Sequence, residues 1–330
     1  MMQDNSQFVS LVLAKLRSLA ATFGQSDPYE EESFHNGALL FNSSRIIAYS
    51  ASDEISILSI ALTHHAMNQK IEVHLIVDQE NPVLYEQKLG FDLDIRIWIV
   101  EGKELIEHPE IPAYHPKTAP KKARSLSTTL EKLDCLVIEE HGALRAEVHG
   151  VEVARIVQTD KGAYEINVGV GEYDQNAHST LTRDADTGKN LRQVISTVKQ
   201  FRHKKASPHP LNRILRSRWL MSEAISNPAL LGMEKLSYVE SLSSTYDSLR
   251  NQPCSALGRR GETVTLVLST TGIDLSLVPH AGGQINRHNP DALIFLMPEQ
   301  DKHPAIFRQA QHLLLEPTFT MIDEPWPESL

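Results

Sequence analysis

Residues 45–100 read RIIAYSASDEISILSIALTHHAMNQKIEVHLIVDQENPVLYEQKLGFDLDIRIWIV, and this stretch decides the fold class. It contains three β-type runs, RIIAYS, IEVHLIVD and IRIWIV, dense in β-branched residues. Between the first two lie Ile57, Leu58, Ile60, Ala61 and Leu62, with Ser52 and Asp53 placed to cap a helix. Between the last two, Asn81-Pro82 starts a second helix carrying Leu84, Tyr85 and Leu89. Strands separated by helices of this length predict a parallel sheet with right-handed crossovers.

Upstream, Phe8, Leu11, Val12, Leu16, Leu19, Ala20 and Phe23 recur at helical spacing until Gly24, and the acidic stretch 26–36 reads as a loop. Downstream, residues 102–124 hold four prolines and several lysines and read as a linker. Residues 125–226 change character. A short helix precedes CLVIEE, LRAEVHG, VEVARIV and AYEINVGV, which read as antiparallel strands bent at Gly142, Gly150 and Gly162. Leu191, Val194, Ile195, Val198 and Phe201 then form the apolar stripe of a helix, and another helix runs from about Asn212 to Ile225. Residues 227–262 read as an irregular connection, and 263–330 return to the opening pattern with TVTLVLS, DALIFLM and TFTMID as strands. The expected architecture is α/β, with two Rossmann-like βαβαβ half-units (1–101 and 263–330) flanking an α+β middle domain. Ser50 and Asp78 close strands 28 residues apart, Ser269 and Pro298 close strands 29 apart, and Pro82 and Pro304 start the helices that follow. That match predicts an internal duplication.

Composition narrows the class. The 330 residues are 41% hydrophobic and 22% charged, as in chains that bury a core. No apolar run reaches the roughly 18 residues a span needs, and MMQDNSQF lacks a basic region before an apolar stretch. Cys135 and Cys254 are the two cysteines, which gives no disulfide framework and no cysteine-based zinc site. A soluble, cytoplasmic protein with no membrane contact is expected, and an oligomer stays open.

Two features carry candidate chemistry. From Thr187 to Ser222 stand Lys189, Arg192, Lys199, Arg202, Lys204, Lys205, Arg213, Arg216 and Arg218 without one Asp or Glu. These nine cations leave −19 on the rest of a chain of net charge −10. Such segregation is expected where phosphates are gripped, so a nucleic acid or a phosphorylated ligand is the expected partner of segment 187–222; the chain's own acidic domains are the alternative. Arg192, Lys199 and Arg202 should point away from the core. The second feature is a set of strand carboxylates, Glu147, Glu152 and Glu165, with Asn167 two residues further on the Glu165 face. Brought together, they would hold Mg²⁺ or Mn²⁺ through oxygen ligands, and such a metal can activate water at a phosphodiester. Gly169-Val170-Gly171 lacks the third glycine of a dinucleotide loop, and His141, beside Glu139 and Glu140, is a turn residue, a ligand or a general base. Small polar residues also cluster where the parallel strands end, near Ser50–Asp53, Asp78 and Ser269–Asp274. Open sheets bind ligands there, although such residues also cap helices.

The carboxylate arrangement resembles the restriction-endonuclease-like, or PD-(D/E)XK, nucleases over about 80 residues. The resemblance implies that Glu152 stands for their acidic residue and Glu165 for the Glu of their Glu-X-Lys pair. Asn167 then occupies the Lys position, where an amide supplies no cation. The stretches EEHGALRAEVHGVEVARI, GVGEYDQNA and PHPLNRILRSRWL are similar to a group of uncharacterised conserved proteins of actinomycete-type bacteria. Three functions stay open: a metal-dependent nuclease or phosphodiester hydrolase, a non-catalytic nucleic-acid or nucleotide-binding protein, and a protein-interaction scaffold.

Overall fold

The computed structural model describes residues 2–24, 28–34, 36–51, 56–65, 71–170, 187–203, 205–207, 209–243 and 251–322. The chain is mixed α/β with three sheets, and it divides into two compact units that do not follow the sequence linearly. The first comprises residues 1–113, 275–289 and 303–316; the second comprises 114–274, 290–302 and 317–330.

The first unit is built on a six-stranded sheet in the order β1 (Glu30–Phe34), β2 (Gly37–Phe41), β3 (Arg45–Ser50), β4 (Glu72–Val77), β5 (Ile95–Glu101), β6 (Glu104–Glu107). The strands β3, β4 and β5 pair in parallel and the flanking pairs are antiparallel. Helix α1 (Met2–Ala20) lays Val12, Leu16, Leu19 and Ala20 on Ala38, Leu40, Ile47 and Tyr49. Leu11 stays outside this core, 67% exposed. Helix α2 (Ile57–His65) joins β3 to β4, and α3 (Pro82–Lys88) joins β4 to β5; the Asn81 side chain accepts from Leu84 N as its cap. Ser52 and Asp53, expected to cap α2, lie outside the described residues.

Two readings change in this unit. The stretch 26–36 holds the edge strand β1, whose run Glu30-Glu31-Glu32 is exposed. Three carboxylates in a row read as loop, but an edge strand tolerates charge because one rim faces water. The stretch 102–124 carries β6, which closes the sheet beside β5, and the short helix α4 (Lys121–Arg124).

Helices α8 (Leu277–His288) and α9 (Pro304–Ala310) pack in this same unit. Their contacts come in matched pairs, α3 with α8 and α2 with α9. Beyond α3 and α9 the chain forms one antiparallel bridge, Phe91 to Leu313, with Asp92 N donating to His312 O and Leu314 N donating to Gly90 O, both at 2.9 Å. Gly90 thus pairs with Leu314 and Asp92 with His312 about the central Phe91–Leu313 pair, the local two-fold pattern of an antiparallel bridge. The approach of α3 to α8 is close. A Cβ on Gly90 would lie 2.2 Å from Gly282 O, which restricts the position to glycine.

The second unit has two sheets. One is antiparallel, in the order β10 (Tyr164–Val168), β9 (Val151–Gln158), β8 (Ala143–Val148), β7 (Leu136–Glu140). Its turns after β7 and β8 are both His-Gly, with all four residues at positive φ, as two-residue hairpins require. Helices α4, α5 (Ser127–Glu131) and α6 (Thr187–Phe201) cover one face: Ala123, Leu130, Leu191, Ile195 and Val198 share a core with Leu144, Ala146, Val148, Ala154 and Ile156.

The other sheet runs β11 (Lys235–Tyr238), β12 (Cys254–Arg260), β13 (Thr263–Ser269), β14 (Ala292–Pro298), β15 (Pro317–Ile322). Here β13, β14 and β15 are parallel and β11, β12 and β13 antiparallel. The segment 227–262, read as irregular, therefore supplies two strands. CSALGRR is weak in β-branched residues and gains its extended form from pairing with β13. Helix α7 (Arg216–Ser226) packs on this sheet through Trp219, Leu220, Met221 and Ala224.

Among the described residues no helix is long and apolar enough to cross a membrane.

Candidate functional site

The strand carboxylates and the basic segment meet in the second unit, around the β7–β10 sheet. Side chains alternate between the two faces of a strand, so Ala146 and Val148 face the core under α6 while Arg145 and Glu147 face the other way. Glu147 lies directly opposite Glu152 on β9. A bulge beside Ala146/Glu147 shifts the register by one residue and brings Glu152 onto the face of Arg155. Asn167 is opposite Arg155 and Glu165 is opposite Val157, so both share that face.

On this face the buried carboxylates are matched by guanidinium groups. Arg218, from the first turn of α7, donates through Nε to both Glu147 oxygens (2.7 and 2.9 Å) and through Nη2 to Glu140 (2.8 Å). Arg155 Nε donates to Glu152 at 2.9 Å, and Arg145 lies 3.3 Å from Glu140 and 3.5 Å from Glu152. Burial pushes the Glu147 carboxyl up more strongly than Arg218 pulls it down. Burial also opposes the charge on Arg218, but Glu147 and Glu140 overcome it and raise that group well above its ordinary value. Three carboxylates and three guanidiniums thus form a closed, charge-balanced cluster. Glu165 is exposed at its rim.

A divalent cation does not fit this arrangement as it stands. Glu147 and Glu152 already hold arginines, and Asn167 brings an uncharged amide. Among the described residues no three His, Cys, Asp or Glu side chains converge to hold a metal ion.

The nine cations of the basic segment divide by burial. Arg202 is fully buried, contrary to the expectation that it points outward. It donates to the carbonyls of His149 (2.9 Å), Leu211, Ile214 (2.8 Å) and Leu215 (3.2 Å), and its guanidinium lies 4.4 Å from the Trp219 ring centre. The Leu215 carbonyl also accepts from Trp219 N at 3.0 Å, and one five-donor side chain ties this start of α7 to the His149 turn and the loop before it. Arg218 is buried in the carboxylate cluster, and Arg216 is half-buried. Lys199 is exposed and pairs with Asp134, whose carboxyl it holds below the usual range. Lys189, Arg192, Lys205 and Arg213 are exposed, and Lys204 lies outside the described residues. Part of the anion that balances the segment is therefore the chain's own.

The remaining exposed cations gain neighbours that the sequence did not suggest. Helices α4 and α5 lie on the same sheet face as α6, so Lys121, Lys122, Arg124 and Lys132 join Lys189, Arg192 and Lys199 in one outer layer. Arg124 bonds Glu139 at 2.8 Å. Among the described residues none of the large exposed apolar side chains falls in this layer.

Compared with known proteins, the chain matches no family model, no curated protein and no solved structure. Any function must therefore be argued from the site itself. Its geometry separates two chemistries. The cations lie on the helical side of the sheet and the carboxylates on the other, so a phosphodiester on the cations is screened from the carboxylates by a full layer of core.

Proposed function

We propose that the protein binds nucleic acid without cleaving it, through the phosphate backbone and the α4–α5–α6 layer. The supporting observation is the convergence of exposed cations from two distant segments on one sheet face, with no large exposed apolar side chain among the described residues of that layer. A protein partner would want an apolar anchor at the centre of its interface, whereas a phosphate chain wants cations spaced along a surface. With about five phosphates neutralised, duplex affinity falls on the order of 10²–10³-fold between 50 and 200 mM salt. The quadruple substitution Lys121→Glu, Lys122→Glu, Lys189→Glu, Arg192→Glu removes binding and changes stability little, since exposed charges contribute little to folding. Fluorescence anisotropy with labelled duplex and single strands checks both outcomes. Salt-independent binding, or binding that survives the quadruple change, overturns the proposal.

A second reading, metal-dependent phosphodiester hydrolysis with Mg²⁺ or Mn²⁺, has one support: the bulge that sets Glu147, Glu152, Glu165 and Asn167 on a common face. It requires a guanidinium to leave when the metal enters. On that reading either ion raises the melting temperature of the wild type and not of Glu165→Ala, because a ligand bound only to the folded state stabilises it. Equal shifts in both proteins remove it.

We also read the two parallel sheets as one Rossmann-like design used twice. In each, a helix, an antiparallel pair of strands and then strand, helix, strand, helix, strand follow in sequence. The register supports it: Arg45 pairs Glu72 as Thr265 pairs Ala292, and Val73 pairs Ile95 as Leu293 pairs Pro317.

A further inference from the structure

His141 opens the turn between β7 and β8, and the hairpin fixes its backbone at φ +50°. The carboxylates beside it in sequence are engaged elsewhere: Glu139 accepts from Ala119 N and Arg124, and Glu140 accepts from Arg218. The carboxylate that meets its imidazole is Glu240, 99 positions further along. Glu240 Oε2 accepts from His141 N at 2.6 Å and lies 3.7 Å from His141 Nδ1, while Tyr114 OH donates to Oε1. One buried carboxylate, anchored through both oxygens, thus holds the backbone and one edge of the ring together.

On the opposite edge of the ring, Nε2 lies 3.4 Å from Ser241 Oγ. Ser241 belongs to the segment that leaves β11, and that segment is pinned on both sides of it. Val239 N donates to Ser255 O at 3.1 Å, and Leu242 is buried. The imidazole is 18% exposed and Ser241 is half-buried, so a small molecule from solvent can reach both.

Carboxylate, imidazole and hydroxyl in this order form the relay of a nucleophilic hydrolase, which is recognised by geometry and roles and not by position in the chain. The Glu240 charge favours a proton on Nδ1 and leaves Nε2 to accept one. Ser241 Oγ donates to Ser243 O at 2.7 Å; a hydroxyl turns about its C–O bond at little cost, and turning it to Nε2 presents its proton to the base. Contacts of 3.4 and 3.7 Å are of the looser kind that tightens around a substrate.

We propose that Ser241, His141 and Glu240 form a hydrolytic site for small carboxylic esters, independent of the nucleic-acid reading. Ser241 Oγ attacks the ester carbonyl carbon and its proton passes to His141 Nε2. The bond from that carbon to the alcohol oxygen breaks, and Nε2 gives the proton to the leaving alkoxide. Water then attacks the acyl carbon and gives a proton to Nε2; the bond to Oγ breaks, Oγ takes the proton back, and the free acid departs. Ser241 and His141 are the catalytic residues, and Glu240 positions the ring.

The test uses the full chain with p-nitrophenyl acetate and p-nitrophenyl butyrate, and with a fluorophosphonate that a nucleophilic serine captures by displacing fluoride. The wild type turns over at least one ester, and peptide mass mapping finds the phosphonyl group on Ser241. Ser241→Ala removes both the label and the turnover. His141→Ala lowers kcat by roughly 10²-fold or more, the usual share of a general base. Glu240→Gln lowers kcat and leaves KM unchanged, a split that a merely structural glutamate does not give. Melting temperatures confirm that each variant is folded, and the label on the wild type does not depend on any variant. The proposal is overturned if the wild type neither turns over an ester nor takes the label at Ser241, or if turnover survives in folded Ser241→Ala.

Discussion

Arg218→Ala lowers folding stability by about 3–5 kcal/mol, the usual cost of removing one partner from a buried ion pair. The guanidinium it removes touches Glu147 and Glu140, whose side chains are 1% and 3% exposed. Glu152, directly opposite Glu147, is also buried, so the change leaves carboxylates facing one another in a dry site. They respond by taking up protons, because burial already pushes the Glu147 carboxyl up and the counter-charge is gone. A folded-state carboxyl with a raised pKa binds more protons than the unfolded chain, so the deficit of the variant is largest above pH 7 and shrinks as pH falls. The double change Glu147→Gln with Arg218→Met recovers part of the loss, since what costs most is the unpaired charge and not the missing pair. Urea unfolding at pH 8 and pH 5 measures all three. A loss under about 1 kcal/mol for Arg218→Ala would mean that the cluster is solvated and that its closed character is wrong.

Acidification weakens the fold before the carboxylates with lowered values, such as Asp134 and Glu140, titrate. Burial, reinforced by the Arg287 charge, lowers the His280 imidazole from 6.5 to about 4. Burial also lowers His65 and His312, whose Nδ1 and Nε2 lie 3.3 Å apart, and the His65 charge lowers His312 further. For each of these groups the unfolded chain binds the proton more tightly. The stability they contribute is complete above about pH 6.5 and is lost as pH falls through that value toward the folded pKa. The His280 shift alone corresponds to about 3 kcal/mol by pH 4. Carboxylates with lowered values, Asp134 and Glu140 among them, start from 3.8 and 4.5 and add their loss only below that range. Denaturant titrations from pH 7 to pH 4 should therefore show a steep fall that His280→Gln flattens. An unchanged slope in that variant would place His280 in contact with solvent.

Strands β3, β4, β5, β13, β14 and β15 are legible as short β-branched, apolar runs, as strands buried on both faces are, and β7, β8, β9, β10 and helix α6 from runs and apolar spacing between turn residues. Strands β1 and β12 were not legible. Glu30-Glu31-Glu32 and CSALGRR have weak local preference and are extended because a neighbouring strand supplies their hydrogen bonds. The linker reading of 102–124 missed β6 and α4 for the same reason: a turn of helix holding Lys121 and Lys122 becomes visible only once Ala123 has a core to enter.

The sequence by itself determined the α/β class, the antiparallel middle sheet with its bends at Gly142, Gly150 and Gly162, and the concentration of cations in 187–222. These are consequences of local pattern and composition. Tertiary structure alone decided what each charge does. Arg202 was expected to point outward and Arg218 to grip phosphate, yet Arg202 closes the carbonyls of His149 and of the loop Leu211–Leu215, and Arg218 neutralises two buried glutamates 71 and 78 positions away. The sheet also decided that carboxylates and exposed cations take opposite faces. One bulged residue on β9 and the covering of a single face by α6 set that outcome, and neither is a property of any short stretch of residues.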